Sequence, residues 1–211
     1  MPTVTFTNLP AEKRKTILDA ARAEFSRVSI EEASINRIIK DAKISRGSFY
    51  MYFTDKGDLV NVLFQEMKYQ FAQLVIESFA RFPGDVSQAM LDIHNRVHHH
   101  ILIDDQREFI RNFLSQFMPF RHRHSCETNA KQPMEIMLQS LLPLIDRSQF
   151  HDQSDTFLKC TVELGFSLLF GVMFDTLIHQ SEFETAHAHY QSILTILKHG
   201  YHRKEGTSCL D

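Results

Sequence analysis

The sequence predicts an all-α protein with two parts, an N-terminal three-helix domain of the helix-turn-helix type and a C-terminal helical domain. Glycine and proline are scarce, at 7 and 6 of 211 residues. Apolar residues recur at helical spacing, and few stretches alternate between apolar and polar residues as strands do. Residues 1–56 carry ten basic and seven acidic side chains, whereas the remainder carries thirteen and nineteen. A basic end on an acidic body is typical of nucleic-acid contact confined to one end.

The first expected helix starts near Pro10, after a polar segment of residues 1–8 that we expect to be a mobile arm. Pro10 suits the first turn of a helix, where its missing N–H is not needed. Apolar residues at helical spacing predict one buried face up to about residue 28, formed by Ile17, Ala21, Phe25 and Val28. The basic run Lys13, Arg14 and Lys15 lies where cations oppose the helix dipole. Either phosphate contacts or a solvated helix end would explain it.

Two short helices joined by a tight turn are expected over residues 34–52. Ser34 suits the capping position of the first helix, whose inward side chains should be Ile35, Ile38, Ile39 and Ala42. Ser45 can cap the second helix by accepting the backbone N–H groups two and three residues on. If the turn between them needs a left-handed residue, Lys43 would cost on the order of 1 kcal/mol there. This order of elements is that of a helix-turn-helix motif.

The second of these helices, at about residues 45–52, has the features of a recognition helix that enters the DNA major groove. Phe49 and Phe53 are four residues apart, so they share a face and can dock the helix on its own domain. Arg46 falls on the first turn, which reaches base edges, and arginine bound to guanine is the commonest specific contact. Gly47 lets the backbone approach the duplex closely.

Phosphate contacts are expected on both helices. Ser34 and Arg37 should hold phosphates from the first helix. Tyr50, Tyr52 and Lys56 should clamp the backbone from the second, which fixes register without reading sequence. The complete set of expected DNA-binding residues is Ser34, Arg37, Ser45, Arg46, Gly47, Ser48, Tyr50, Met51, Tyr52 and Lys56. The alternative is an amphipathic helix with a solvated polar face.

Residues 17–59 resemble the DNA-binding domain of TetR-family transcriptional regulators. The blocks that carry the resemblance, at the spacing of the family, are Ile17-Leu-x-Ala-Ala-x-x-x-Phe25, Ser34-Ile-x-x-Ile38, Ala42-x-Ile-Ser45, Gly47-Ser-Phe-Tyr50, Tyr52-Phe53 and Lys56-x-Asp-Leu59. Ser29 and Ile30 depart from the usual glycine followed by an aromatic residue. Ile39 replaces a small residue and Lys43 replaces the turn glycine. These departures lie away from the expected DNA-facing positions, so they concern local packing.

The resemblance implies a helix-turn-helix DNA-binding domain at residues 1–54 and a helical regulatory and dimerisation domain at residues 55–211. It also implies a homodimer on a palindromic double-stranded DNA operator, and a repressor that a small molecule releases. Two DNA-binding domains on half-sites about one helical turn apart would read such an inverted repeat.

The body is expected to be built from helices. A long helix over Asp55–Phe82 should end at Pro83-Gly84, and a loop is expected over Pro119–Gln132. Further helices are expected at about residues 85–103, 105–118, 132–145, 153–179 and 182–202. The apolar run Leu164–Phe174 is too short to span a bilayer and is flanked by charges, so it predicts a buried helix and no membrane contact.

The helix expected at residues 153–179 is apolar nearly all round, so it must be buried on more than one side. The resemblance implies that this helix and the next pair with their copies in a dimer; a monomeric bundle is the alternative. It also implies a small-molecule pocket in the body without fixing its residues. Aromatic linings favour a lipophilic or cationic effector. The candidates, each of which could be ordinary core, are Phe113, Phe117, Phe166, Phe170, Met173 and Phe174.

Other functional classes find less support. No Gly-rich phosphate loop, HExxH or GxSxG motif occurs, so neither an enzyme nor a cofactor is expected. Three scattered cysteines and no signal pattern indicate the cytoplasm. His94 and His98 are four apart on one helix, and a loop offers His122, His124 and Cys126, but no local residue completes a metal site. A metal-sensing repressor and a non-regulatory, chromosome-organising protein are the alternatives.

Overall fold

The computed structural model describes residues 2–102, 107–112, 131–179 and 181–199, and all regular structure in those ranges is helical. The prediction of an all-α protein is confirmed. The α-helices are α1 (Val4–Thr7), α2 (Ala11–Arg27), α3 (Ile35–Asp41), α4 (Arg46–Tyr52), α5 (Lys56–Arg81), α6 (Val86–Leu102), α7 (107–112), α8 (Lys131–Leu141), α9 (Asp155–His179) and α10 (Phe183–His199). Two short 3-10 helices, Leu142–Leu144 and Arg147–Gln149, follow α8.

Contacts divide the chain into two units. The first combines Met1–Glu77 with Arg96–Met137, and the second combines Ser78–Asn95 with Leu138–Asp211. In the first unit α2 packs against α3, and both α1 and α3 pack against α4. Its most deeply buried side chains include Ile17, Phe25, Ile38, Phe49, Phe53, Leu59 and Leu63. The docking of the recognition helix through two phenylalanines is therefore confirmed.

The expectation of a mobile arm at residues 1–8 was wrong. Val4–Thr7 forms one helical turn, α1, and Phe6 within it is only 4% exposed. Thr3 stands at the start of this turn, where its side chain accepts the backbone N–H of Phe6. The segment looked like an arm because its burial depends on residues more than forty positions later in the chain.

Most of the expected helices of the body lie where the apolar spacing placed them. α5, α6, α9 and α10 begin and end within three residues of the expected bounds. The helix expected over residues 132–145 is shorter: α8 ends at Leu141, and a 3-10 helix with proline in its first turn follows. Lys131 and Gln132, expected in a loop, are helical. The rest of that loop, and much of the helix expected at residues 105–118, lies outside the described residues.

In the second unit α9 and α10 pack against each other. The hydroxyl of Tyr190 in α10 donates to the carbonyl oxygen of Gly165 in α9 at 3.0 Å. Tyr190 is fully buried, and this burial raises the pKa of its phenol above the ordinary value of 10. Gly84 follows the end of α5 with φ +87°, and its N–H donates to Leu144 O at 3.0 Å. The stop expected at Pro83-Gly84 is confirmed.

One side of α9 and α10 remains exposed in the single chain. Five large apolar side chains in these helices are at least 36% exposed, namely Leu164, Phe170, Ile178, Ile196 and Leu197. The expectation that α9 is buried on more than one side is therefore not met within one chain. By length and composition alone α9 could also cross a membrane, a property that core helices of soluble proteins share.

Candidate nucleic-acid interface

The start of α3 is held by a buried carboxylate. Ser34 occupies the capping position of α3, but its side chain makes no capping hydrogen bond, which corrects that part of the sequence prediction. Its backbone N–H instead donates to Oε1 of Glu24 at 2.9 Å. Glu24 is 2% exposed and also accepts from Arg27 at 2.9 and 3.1 Å. Arg37, half exposed, lies 3.7 Å from the same carboxylate.

The turn between α3 and α4 does contain a residue in the left-handed conformation, the case that the sequence analysis considered for Lys43. Lys43 has φ +52°, the only positive φ at a non-glycine residue among those described. Its N–H donates to Lys40 O at 3.2 Å, and the N–H of Ile44 donates to Ile39 O at 3.0 Å. The chain therefore makes the turn without the glycine that would be free of strain at this φ.

The start of α4 is capped as predicted. Oγ of Ser45 accepts the backbone N–H of Ser48, three residues on, at 3.0 Å. The two serine hydroxyls lie 2.9 Å apart and bond to each other. The first turn of the helix is thus fixed by side chains of the motif itself.

The outer face of α4 presents most of the residues expected to touch DNA. Arg46 and Gly47 are exposed, as are Tyr50 and Met51, at 47% and 58%. The guanidinium of Arg46 lies 5.7 Å from the centre of the Tyr50 ring and donates to Oδ1 of Asn36 at 3.0 Å. Asn36 is exposed on α3 and was missed from the sequence, because nothing in its own surroundings marks its proximity to α4.

Two residues that were expected to contact phosphates contact other groups of the protein. Tyr52 is 5% exposed, and its ring packs 6.2 Å from that of Phe6. Nζ of Lys56 bonds to the carbonyl oxygen of Glu31 and, at 3.3 Å, to that of Ala33. Through these two hydrogen bonds Lys56 links the start of α5 to the segment before α3. Their contacts to DNA stay predictions, and Tyr52 has little surface left with which to make one.

The basic residues at the start of α2 are partly engaged within the chain. Arg14 donates to the carbonyl oxygen of Thr7, and Lys15 pairs with Asp19. Lys15 is largely exposed, so it can exchange this partner for a phosphate at little cost, since surface ion pairs contribute about 0–1 kcal/mol. Phosphate contact by this run stays a prediction.

The candidate ligand residues of the body separate by burial. Phe166 is 1% exposed, whereas Phe170 is 36% exposed and Met173 and Phe174 are half-buried. These values place Phe166 in the core and Phe170 at the surface. Phe113 and Phe117 lie outside the described residues.

His94 on α6 lies next to a histidine of another helix, a contact that the sequence did not indicate. Nδ1 of His94 lies 3.1 Å from Nδ1 of His187 in α10, and the His94 ring stacks on Phe183 with centres 5.6 Å apart. Within the described residues no three histidine, cysteine or acidic side chains are grouped to hold a metal ion. His122, His124 and Cys126 lie outside those residues.

A capped helix with an exposed Arg46, docked by two buried phenylalanines behind a tight turn, is the arrangement of a helix-turn-helix DNA-binding motif. Residues 17–63 match the family described as bacterial regulatory proteins, tetR family. The chain is 28% identical over 116 residues to the HTH-type transcriptional regulator AcrR of Shigella flexneri. That match covers 55% of this chain and spans about half, 50%, of the length of AcrR.

Solved structures share the fold along most of the chain. The fatty acid degradation regulator FadR of Bacillus halodurans superposes with a TM-score of 0.60 at 19% identity, covering 89% of this chain and 99% of that one. The transcriptional regulator FadR of Bacillus subtilis, solved in complex with stearoyl-CoA, gives 0.62 at 17% identity with the same coverage. At this identity the likeness concerns the fold. Residues 17–63 therefore form a DNA-binding domain of the TetR family of transcriptional regulators.

Proposed function

We propose that this protein is a ligand-responsive repressor that binds a palindromic DNA operator as a homodimer, in the bacterial cytoplasm. The observation that carries the proposal is the outer face of α4. Arg46, Tyr50 and Met51 are exposed there, while Phe49 and Phe53 on the inner face are fully buried. A recognition helix needs this division, because one face must stay docked while the other enters the major groove.

Arg46 is the residue that we expect to read a base. Its position on the first turn of α4 suits a bidentate bond to guanine. The bond to Asn36 Oδ1 and the nearby ring of Tyr50 orient the guanidinium before DNA arrives. Ser34, Arg37 and Ser48 fit phosphate contacts, which position the helix without reading sequence. Lys56 would first have to leave the carbonyl oxygens of Glu31 and Ala33.

Selection of DNA from a random pool by the purified protein, followed by titration at two salt concentrations, tests this role. We expect an inverted repeat with strong salt dependence. Arg46→Ala should lower affinity for the selected site by about 1–3 kcal/mol and relax the preference at one position of each half-site. Lys15→Ala is the matched control, since it removes an exposed cation away from α4 and should weaken all sequences alike. Equal losses of Arg46→Ala on every sequence would make Arg46 a phosphate contact.

The division of labour that we propose places DNA binding in residues 1–54 and ligand response and dimerisation in residues 55–211. The exposed apolar side of α9 and α10 supports a homodimer, because large apolar side chains at a monomer surface mark association sites. A second copy of the same helices is the occupant that a two-fold operator requires, since each half-site needs one recognition helix.

The effector that we propose is a lipophilic compound, with fatty acyl-CoA as the first candidate. The solved complex of Bacillus subtilis FadR with stearoyl-CoA supports this choice. A ligand that favours a body conformation with wrongly spaced DNA-binding domains must weaken DNA binding by its affinity difference between the two states.

Titration of the protein–operator complex with stearoyl-CoA, with coenzyme A as the control, tests the effector class. Release by the acyl compound alone is the expected result. Release by a lipophilic cation alone would change the class of effector. If no small molecule alters DNA affinity, the protein is better described as a non-regulatory DNA-binding protein. Metal analysis of untagged protein tests the alternative of a metal-sensing repressor.

A further inference from the structure

The recognition helix has no local cap at its end. α4 is seven residues long, and Phe53 after it is extended, at φ −136° and ψ 137°, instead of left-handed. The N–H of Phe53 donates to Phe49 O at 2.9 Å. The carbonyls that follow Phe49 have no partner inside the helix, as at any helix end. Water or donors from elsewhere in the chain can satisfy them.

Thr3 supplies two of those donors from 48 residues away. Its backbone N–H donates to Tyr52 O at 3.0 Å, and its hydroxyl donates to Met51 O at 2.7 Å. Both bonds end on the last turn of α4. Thr3 therefore performs for the recognition helix the role that a C-terminal cap performs for other helices.

The segment that carries Thr3 is itself fixed. We call residues 3–7 the N-terminal strap. The ring of Phe6 lies 4.7 Å from that of Phe53 and is 4% exposed, which anchors the strap beside α4. Arg14 of α2 donates to the carbonyl oxygen of Thr7, which anchors its other end. The strap thus joins the end of the recognition helix to the first long helix of the motif.

We propose that Thr3 is a positioning residue for DNA reading. A helix of seven residues is too short to be stable alone, so its direction is set by what holds it. Ser45 holds its start, Phe49 its inner face and Thr3 its end. A bidentate contact tolerates displacements of only about 0.5 Å, so a loose end moves Arg46 out of register with its base. The inference rests on the proposed reading of DNA by α4.

Three substitutions at Thr3 separate the two bonds. Thr3→Val removes the hydroxyl, which also accepts the N–H of Phe6 at 3.4 Å. It should lower affinity for the selected operator about fivefold, the effect of losing the bond to Met51 O. Thr3→Pro removes both donors, and φ −73° with ψ 159° suits proline, so the loss should be about 20-fold. Thr3→Ser keeps both donors and should bind as the unchanged protein does. Val4→Ala, at a side chain 75% exposed on the same strap, is the matched control and should change nothing.

The readout is affinity for the operator against affinity for a scrambled duplex, with melting temperature measured alongside. Phosphate contacts dominate binding to unrelated DNA, so that affinity should stay constant while operator affinity falls. A fall of both affinities by the same factor would make the strap merely structural and overturn the proposal. Unchanged operator affinity in Thr3→Pro would overturn it as well. If the unchanged protein selects no sequence, the proposed function itself fails.

Discussion

The helix-turn-helix motif and the last two helices use their apolar residues in opposite ways. In the motif, formed by α2, α3 and α4, Phe25, Phe49 and Phe53 are fully buried within one chain. In the pair α9 and α10, Leu164 is 46% exposed and Ile196 is 50% exposed, although both lie in long helices with well-packed inner faces. The motif is a closed core, whereas the pair leaves one apolar side open.

The difference indicates which kind of partner each region binds. The outer face of α4 exposes Arg46 and Tyr50, which can bind charged or polar surfaces, beside the apolar Met51. The open side of α9 and α10 exposes large apolar side chains, which another apolar surface would cover. A folded surface tolerates scattered apolar residues, but a set along two neighbouring helices marks an association site. We therefore expect surface substitutions to act on DNA affinity in the first region and on assembly in the second.

The largest effect is expected from Ile196→Glu. In a two-fold interface each substitution occurs twice, so two charges would be buried without partners. We expect the dimer dissociation constant to rise at least about 100-fold. Operator affinity should fall as well, because the two DNA-binding domains are no longer held together. Analytical ultracentrifugation and operator titration measure the two effects.

Ile136→Glu is the matched control for that variant, because Ile136 in α8 is also an exposed isoleucine, at 64%. It should leave both dimer and operator affinity unchanged. A dimer that survives Ile196→Glu would remove the contrast between the two regions. The open side of α9 and α10 would then serve another partner.

Local signals in the sequence account for the elements that were predicted well. The long helices follow from apolar spacing, and the cap at Ser45 follows from a serine just before the first turn of a helix. Phe49 and Phe53 were placed inside by their separation of four residues. In each of these cases the residues that determine the local structure are close together in the sequence. The family resemblance adds how the helices are arranged.

The elements that sequence reasoning missed depend on distant partners. α1 forms because Thr3 and Phe6 meet the end of α4, and no pattern within residues 1–8 contains that information. The bond from the Ser34 N–H to Glu24 likewise replaces a local cap with a side chain of α2. The burial of Tyr52 has the same origin, because the ring of Phe6 packs against it.

A smaller effect is expected at the inner side of the helix pair from Tyr190→Phe. Loss of the buried bond from the Tyr190 hydroxyl to Gly165 O should lower the free energy of unfolding by about 1.5 kcal/mol at neutral pH. Because burial raises the pKa of this phenol, the folded state keeps its proton where the unfolded state, with a pKa near 10, has lost it. The unchanged protein should therefore lose stability as pH rises above 10.

The variant lacks that titration, so the stability difference between the two proteins should shrink in alkaline solution. Denaturant unfolding at pH 7 and above pH 10 measures it. Ser192→Ala, an exposed hydroxyl deletion on the same helix, is the control and should show no pH-dependent difference. A constant difference across pH would mean that the phenol is not shielded from solvent.

The smallest effect is expected from Lys43→Gly in the turn of the motif. Lys43 holds φ +52°, where a side chain is strained and glycine is not, so the glycine should raise the free energy of unfolding by up to about 1 kcal/mol. Lys43→Ala removes the same charge but keeps a Cβ, so it should give no such gain in stability. Any loss of DNA affinity that both variants share is then due to the lost charge.

Because the core of the motif is closed within one chain, the gain in stability from Lys43→Gly should appear in thermal unfolding and leave the dimer dissociation constant unchanged. A shift of dimerisation with Lys43→Gly would show that the motif and the helix pair are energetically coupled without DNA or ligand, and the contrast between a closed and an open region would have to be given up.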